Sequence, residues 1–288
     1  VHADIHDFAY RPGHLNQMVT VTDGGAFYTK NANYPDPVFE EHSKNFNTLQ
    51  YYTCDLHQQA GSGVFMGGLQ DNGTIYYDSA RPELQNMISG GDGAYCFFDN
   101  LDPEDAITSY YYNQYIVFKN GQAYKNIYNY SSGVFVNPAD YDTEQDILYA
   151  NATTFTGGRS NEILMIFDVF GNPYGNFIGL NTNSQVYFSH VKISPNSNSN
   201  NTVLLLGTQA GQLYRVDHAK DSPNATEIGN SAFPTANISC VATGTTDDTL
   251  LVTFSNYGVS SLWYTEDGGQ TWDEKQQNLP DMPIRWAL

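Results

Sequence analysis

The chain has 288 residues, and 31 acidic residues against 12 basic ones give it a net charge of −19. Such an excess repels phosphate backbones and argues against nucleic-acid binding. Aromatic residues at 14% and charged residues at 15% exclude a disordered tail and a coiled coil.

The first residues, Val1-His2-Ala3-Asp4-Ile5-His6, read as a strand, and Met18–Thr22 reads as the next. Val64–Met66, Thr74–Tyr77, Ile116–Phe118, Val203–Leu206, Gln212–Val216, Leu250–Phe254 and Ser261–Tyr264 follow. Each is β-rich and bounded by Gly, Asn, Asp or Pro. Helical periodicity is nearly absent, and Pro82–Met87 is the best short helix candidate. No apolar run approaches a membrane span, and no leader peptide is visible. The abrupt start at Val1 and the end at Ile284–Leu288 read as a segment of a longer or processed chain.

The strands recur in one order: apolar strand, polar turn, second strand, Gly-containing hairpin, third strand. Copies open near Phe8, Tyr52, Tyr95, Val191 and Ile238. Asp146–Tyr149 opens a further copy, and 155–185 is blurred. The openings lie ~40–50 residues apart, the length of a four-stranded propeller blade. The expected fold is therefore an all-β propeller with about six blade units, residues 1–288 forming one propeller domain or a large part of one. A two-sheet sandwich is the alternative. Leu288 falls in what reads as the first strand of a further unit, so a ring of seven or eight blades would draw on residues outside 1–288.

The most specific motif is Thr265-Glu-Asp267-Gly-Gly269-Gln-Thr271-Trp272, which fills every position of the Asp box S/T-x-D-x-G-x-T-W. Its logic is structural. The carboxylate accepts hydrogen bonds inside a hairpin turn, the Gly permits a positive φ, and the Trp packs on neighbouring strands. Thr22-Asp-Gly-Gly25 reads as a degenerate copy, with Phe27-Tyr28-Thr29 in place of the Thr-Trp end.

Further motifs are His2-Ala-Asp4-Ile-His6, Gly67-Gly-Leu-Gln-Asp-Asn-Gly-Thr74, Gly90-Gly-Asp-Gly93, Ser255-Asn-Tyr-Gly258 and Asn278-Leu-Pro280. With the Asp box they span nearly the whole chain, which resembles the sortilin-like and BNR-repeat propellers, including large secreted bacterial surface proteins. The resemblance implies a β-propeller, secretion or cell-surface location, and attachment to other domains. Many such relatives resemble type IX secretion cargo with a C-terminal sorting domain, and none is visible here. It also implies that the Asp box stands away from any active site.

His2, Asp4 and His6 alternate, so on a strand they project from one face and suit a divalent cation such as Ca²⁺ or a transition metal. Asp23, Asp71 and Asp92 sit in Gly-rich turns of successive units, which a propeller can bring to one rim. Set against this metal site of His2, Asp4, His6 and Asp71 is the plainer role of satisfying turn backbones.

The main enzyme alternative is a glycoside hydrolase acting on a polysaccharide, which needs a carboxylate pair, with Asp4, Asp71 and Asp92 as candidates. A sialidase needs an arginine cluster. Its Arg-Ile-Pro motif is missing, since Pro283-Ile-Arg285 is reversed, and the arginines are Arg11, Arg81, Arg159, Arg215 and Arg285. Gly61-Ser-Gly63 lacks nucleophile-elbow spacing, and no phosphate-binding Gly-rich motif precedes a helix.

Cys54, Cys96 and Cys240 share no metal-ligand spacing and read as small buried hydrophobes, with a disulfide between two of them left open. Asn-x-Ser/Thr sites occur at Asn72, Asn129, Asn151, Asn200, Asn224 and Asn237. Tyr110-Tyr-Tyr112, Tyr124 and Tyr128 supply either strand packing or a surface for carbohydrate or protein. The leading expectation is a non-catalytic secreted or cell-surface propeller that binds a protein or polysaccharide ligand within a larger protein.

Overall fold

Short β-rich runs separated by tight turns pair with their sequence neighbours, because a two-to-five-residue turn returns the chain antiparallel. A computed structural model describes residues 1–46, 49–82, 86–129, 131–154, 162–180, 182, 186–229 and 231–288. Among them are six four-stranded antiparallel meanders and no helix.

Blade 1 is β1 (Ile5–Arg11), β2 (His14–Thr22), β3 (Gly25–Thr29) and β4 (Glu40–Glu41). Blade 2 is β5 (Tyr51–Leu56), β6 (Val64–Leu69), β7 (Gly73–Asp78) and β8 (Asn86–Ser89). Blade 3 is β9 (Cys96–Phe98), β10 (Ala106–Ser109), β11 (Asn113–Lys119) and β12 (Gln122–Asn129). Blade 4 is β13 (Ala139–Asp142), β14 (Ile147–Asn151), β15 (Glu162–Phe167) and β16 (Tyr174–Gly179). Blade 5 is β17 (Phe188–Ile193), β18 (Leu204–Thr208), β19 (Leu213–Asp217) and β20 (Asn224–Glu227). Blade 6 is β21 (Ile238–Thr243), β22 (Leu250–Phe254), β23 (Leu262–Thr265) and β24 (Asp273–Glu274).

First strands of successive sheets touch: β5 with β9, β13 with β17, and β17 with β21. The sheets therefore stand around a common axis as blades of a β-propeller. Four apolar clusters fill the gaps between them. Met66 meets Phe98 and Ala106 between blades 2 and 3, and Val117 meets Leu148 between blades 3 and 4. Tyr149 meets Phe188 and Leu206 between blades 4 and 5, and Leu205 meets Ile238 and Trp272 between blades 5 and 6.

Polar groups fix how the blades seat on one another. Asp55 accepts the Phe98 N–H at 2.7 Å, so a blade 2 carboxylate caps the first strand of blade 3. Asp140 repeats this on blade 5, taking the Ile193 N–H at 2.8 Å and the Lys192 ammonium at 3.1 Å. Between blades 3 and 4 lies a buried amide network. Asn113 and Asn137 both donate to the Asn151 carbonyl at 2.9 Å, and Asn151 donates to Asn137 Oδ1 at 3.0 Å.

Several expectations are corrected. Residues 1–4 are not strand, so among His2, Asp4 and His6 only His6 lies on β1 and no face-wise alternation exists. Blade 4 opens at β13, and Ile147–Asn151 is its second strand. Asn86 and Met87, at the end of the helix candidate, belong to β8, while 83–85 and Arg159 lie outside the described residues. The three cysteines are free thiols, Cys96 and Cys240 buried and Cys54 exposed. Cys54 sits on the face of blade 2 opposite Met66 and takes no part in the cluster shared with blade 3.

Leu206 is fully buried in the cluster between blades 4 and 5. Leu206→Ala is expected to lower the unfolding free energy by about 2–5 kcal/mol in urea titrations. Leu15→Ala, at a residue 79% exposed, should change it by less than about 0.5 kcal/mol.

Candidate functional site

Asp23 occupies the β2–β3 hairpin and Asp71 the β6–β7 hairpin. His2 and Asp4 precede β1. The structure brings carboxylate oxygens of Asp4, Asp23 and Asp71 within 4.8 Å of one another. Asp92 stands one step behind, its Oδ1 accepting the Asp71 N–H at 3.0 Å. Asp71 holds φ at +58°, a left-handed conformation that Asp tolerates through its short polar side chain. Asn72 donates to the Asp23 carbonyl at 3.3 Å, so one hairpin latches the other and joins blades 1 and 2.

The two histidines are occupied. The His2 Nε2–H donates to the Asp71 carbonyl at 2.8 Å, while Nδ1 accepts the Asp4 N–H at 3.2 Å. Both ring nitrogens are thus engaged within the protein, and neither is left for a cation. The His6 Nε2–H donates to Asp23 Oδ1 at 2.5 Å. This bond, with the Asp23 charge, raises the His6 pKa above 6.5. Partial burial and then the charges of Asp92, Asp23 and Asp4 raise the Asp71 pKa. The donor set a cation would meet is therefore three carboxylates. Hard oxygen ligands suit Ca²⁺ better than a transition metal. Asp23 belongs to this set more directly than His2 or His6.

The Thr265–Trp272 turn closes through its own side chains. Asp267 Oδ1 accepts the Thr265 hydroxyl at 2.7 Å and the Thr271 N–H at 2.8 Å, and Oδ2 accepts the Thr271 hydroxyl at 2.6 Å. Gly269 sits at φ +91°, and a Cβ there would lie 2.7 Å from the Ile228 carbonyl. The same carbonyl accepts the Trp272 indole N–H at 2.8 Å. The turn thereby clamps blade 6 to the end of blade 5.

Its counterpart in blade 1 is not Thr22–Gly25. That segment joins the second and third strands, whereas Thr265–Trp272 joins the third and fourth. The equivalent turn begins at Thr29, the last residue of β3. The Thr29 hydroxyl donates to Asn31 Oδ1 at 2.7 Å, and Asn31 Oδ1 accepts the Val38 N–H at 3.0 Å. Asn31 thus does the work of Asp267. A Thr-x-Asn directly after a strand was the available sequence signal.

A second surface lies on blade 3. Tyr111 stacks on Phe135 with centroids 5.8 Å apart and planes 6° from parallel. Tyr110 lies 4.1 Å from Tyr111 on one side, and Tyr112 meets it edge-on at 5.5 Å. Tyr112 is 37% exposed and Phe135 47% exposed. Tyr112 holds φ at +56° and is tied by its N–H to the Phe135 carbonyl at 3.1 Å. A bulky residue in that region is strained. Tyr124 and Tyr128 on β12 are also exposed. Among the described residues no helix is long and apolar enough to cross a membrane.

No family model matches the chain, and no curated protein matches it. Solved structures do resemble it. YCF48 from Cyanidioschyzon merolae superposes with a TM-score of 0.57 at 13% identity, covering 98% of this chain and 88% of that one. The Cps50 (Swd1) β-propeller domain of Myceliophteria thermophila gives 0.53 at 10% identity, covering 76% and 67%. At such identities the likeness shows the fold, a β-propeller.

The hydrogen bonds from Thr271 and Thr265 hold the Asp267 pKa down to about 2. A depressed carboxylate stabilises the fold above its unfolded pKa of about 3.9, and that contribution is lost as pH falls through about 2. Asp267→Asn is therefore expected to melt below the parent at pH 7. The difference should shrink between pH 4 and pH 2 in thermal scans; a pH-independent difference would refute this origin.

Proposed function

We propose that residues 1–288 act as a non-catalytic binding or scaffolding propeller of a secreted or cell-surface protein, contacting a polysaccharide or protein ligand. The observation that carries this reading is Tyr112, a bulky residue held at φ +56° within an exposed aromatic cluster. Backbone strain is retained where a side chain must be presented, and rigid aromatic rings give large contact area at low entropy cost. The acidic rim of Asp4, Asp23 and Asp71 supports the same reading, as a Ca²⁺ contact that would brace blades 1 and 2.

The test is affinity electrophoresis in gels containing soluble polysaccharides, with and without calcium chloride. The parent should be retarded by at least one polysaccharide. Tyr112→Gly should relieve the strain, melt no lower than the parent, and lose the retardation. Retardation that survives Tyr112→Gly removes this surface from the reading. Calcium should raise the melting temperature of the parent and not of Asp71→Asn; equal curves remove the cation.

A second reading, a glycoside hydrolase, is favoured by one observation. Two carboxylates within about 5 Å suit a retaining mechanism, and the raised pKa of Asp71 suits a general acid. Polysaccharide turnover lost in Asp71→Asn would establish it, and no turnover across the same panel sinks it.

A further inference from the structure

The contact between consecutive blades is repeated beyond blade 6. In β17 a bulge between Phe188 and His190 frees Ser189, whose hydroxyl donates to the Ile238 carbonyl of blade 6 at 2.7 Å. In β21 the same bulge between Ile238 and Cys240 frees Ser239, whose hydroxyl donates to the Ile284 carbonyl at 2.6 Å. Ile284 thus stands to blade 6 as Ile238 stands to blade 5. Its N–H donates to the Phe254 carbonyl at 3.0 Å, and the Cys240 thiol points to the Ala287 carbonyl at 3.5 Å. Residues 283–288 lie where a first strand belongs, yet pair with no strand among the described residues.

Both walls of the position after blade 6 are apolar and incompletely covered. Leu205 and Leu213 of blade 5 are fully buried by blade 6. Their register equivalents, Leu251 and Leu262, are half-buried. On the far wall, the bulge register matches Phe8 and Tyr10 of β1 to Val191 and Ile193 of β17. Val191 is 2% exposed, whereas Phe8 is 59% exposed. Phe8, Tyr10, Met18 and Phe39 line an apolar recess of about 310 Å³. Among the described residues no hydrogen bond or ion pair joins residues 1–46 to residues 238–288.

We propose that residues 283–288 are the first strand of a seventh blade, and that the position between blades 6 and 1 docks a three-stranded antiparallel meander pairing outward from it. Free strand edges recruit strands through their backbone groups, and side-chain faces set which strands fit. The meander presents apolar residues on both faces, one against Leu251 and Leu262 and the other against Phe8, Tyr10 and Met18. Its middle strand therefore has the near-continuous apolar character of Leu204–Leu206. A second copy of this chain is the wrong occupant, because its six sheets already have four strands each.

The register makes a direct test available. Ile284 matches Ile238, so Leu288 matches Ala242, and a copy of residues 243–276 joined after Leu288 continues the blade in phase. The extended chain should melt in one transition at a higher temperature than the parent. Amide hydrogen exchange at 285–288 should slow by tenfold or more. Inserting one residue after the copied Leu251, inside the middle strand, turns the side chains that follow it to the opposite face and should abolish both effects. Equal gain from the phase-shifted chain overturns the proposal, as does an in-phase extension that neither raises the melting temperature nor protects 285–288. A parent chain that dimerises in sedimentation velocity, with 285–288 protected in the dimer, overturns it in favour of a second copy.

Discussion

A four-stranded sheet with apolar residues on both faces must be covered on both sides, and that requirement organises this molecule. Each blade supplies one wall of two interfaces. Where both neighbours are present, as for blade 5, the central strand Leu204–Leu206 is fully buried. On β1 the residues that match the buried Val191 and Ile193 of blade 5 are the exposed aromatic rings of Phe8 and Tyr10. The carboxylates of Asp55 and Asp140 add direction to this stacking, because each caps a backbone N–H of the following blade. Apolar contact alone would let sheets slide past one another; a buried hydrogen bond with one geometry does not.

The polar rim follows from the same arrangement. Hairpins of neighbouring blades emerge at the same end of the stack, so residues as far apart in sequence as Asp23 and Asp71 come together. Their mutual repulsion is part of what lifts the Asp71 pKa. The interblade latches, His2 to the Asp71 carbonyl and Asn72 to the Asp23 carbonyl, hold those carboxylates in place against it.

Strands and their blade-length recurrence were legible because β-branched and aromatic runs between Gly and Asn turns need no tertiary information. Blade 4 was misplaced because its first strand, Ala139–Asp142, carries two acidic residues and little apolar pattern. Asp140 is there to meet Lys192, which only the assembled ring reveals. The Thr22 turn was mistaken for a copy of Thr265–Trp272 because hydroxyl-closed hairpins look alike in sequence. Which pair of strands a hairpin joins depends on where the sheet begins. Thr29-Lys-Asn31 escaped notice since it lacks both the Gly and the Trp. The His2, Asp4 and His6 alternation failed because β1 begins at Ile5 and bulges before Asp7. The meeting of Asp23 with Asp71, by contrast, was legible, because both sit in Gly-rich hairpins of successive units that a propeller brings to one rim.

The buried amide network has a consequence for how this polypeptide must be made. Asn151-Ala152-Thr153 is a glycosylation acceptor by sequence, yet Asn151 is wholly buried and its side chain bonds to Asn137 and Thr153. In a eukaryotic secretory compartment glycans are attached while the chain is still unfolded. A sugar on Asn151 would then wedge blades 3 and 4 apart before they could meet. The fold is thus compatible with synthesis where that modification does not act, and a host that adds it would turn a stabilising asparagine into an obstacle to assembly.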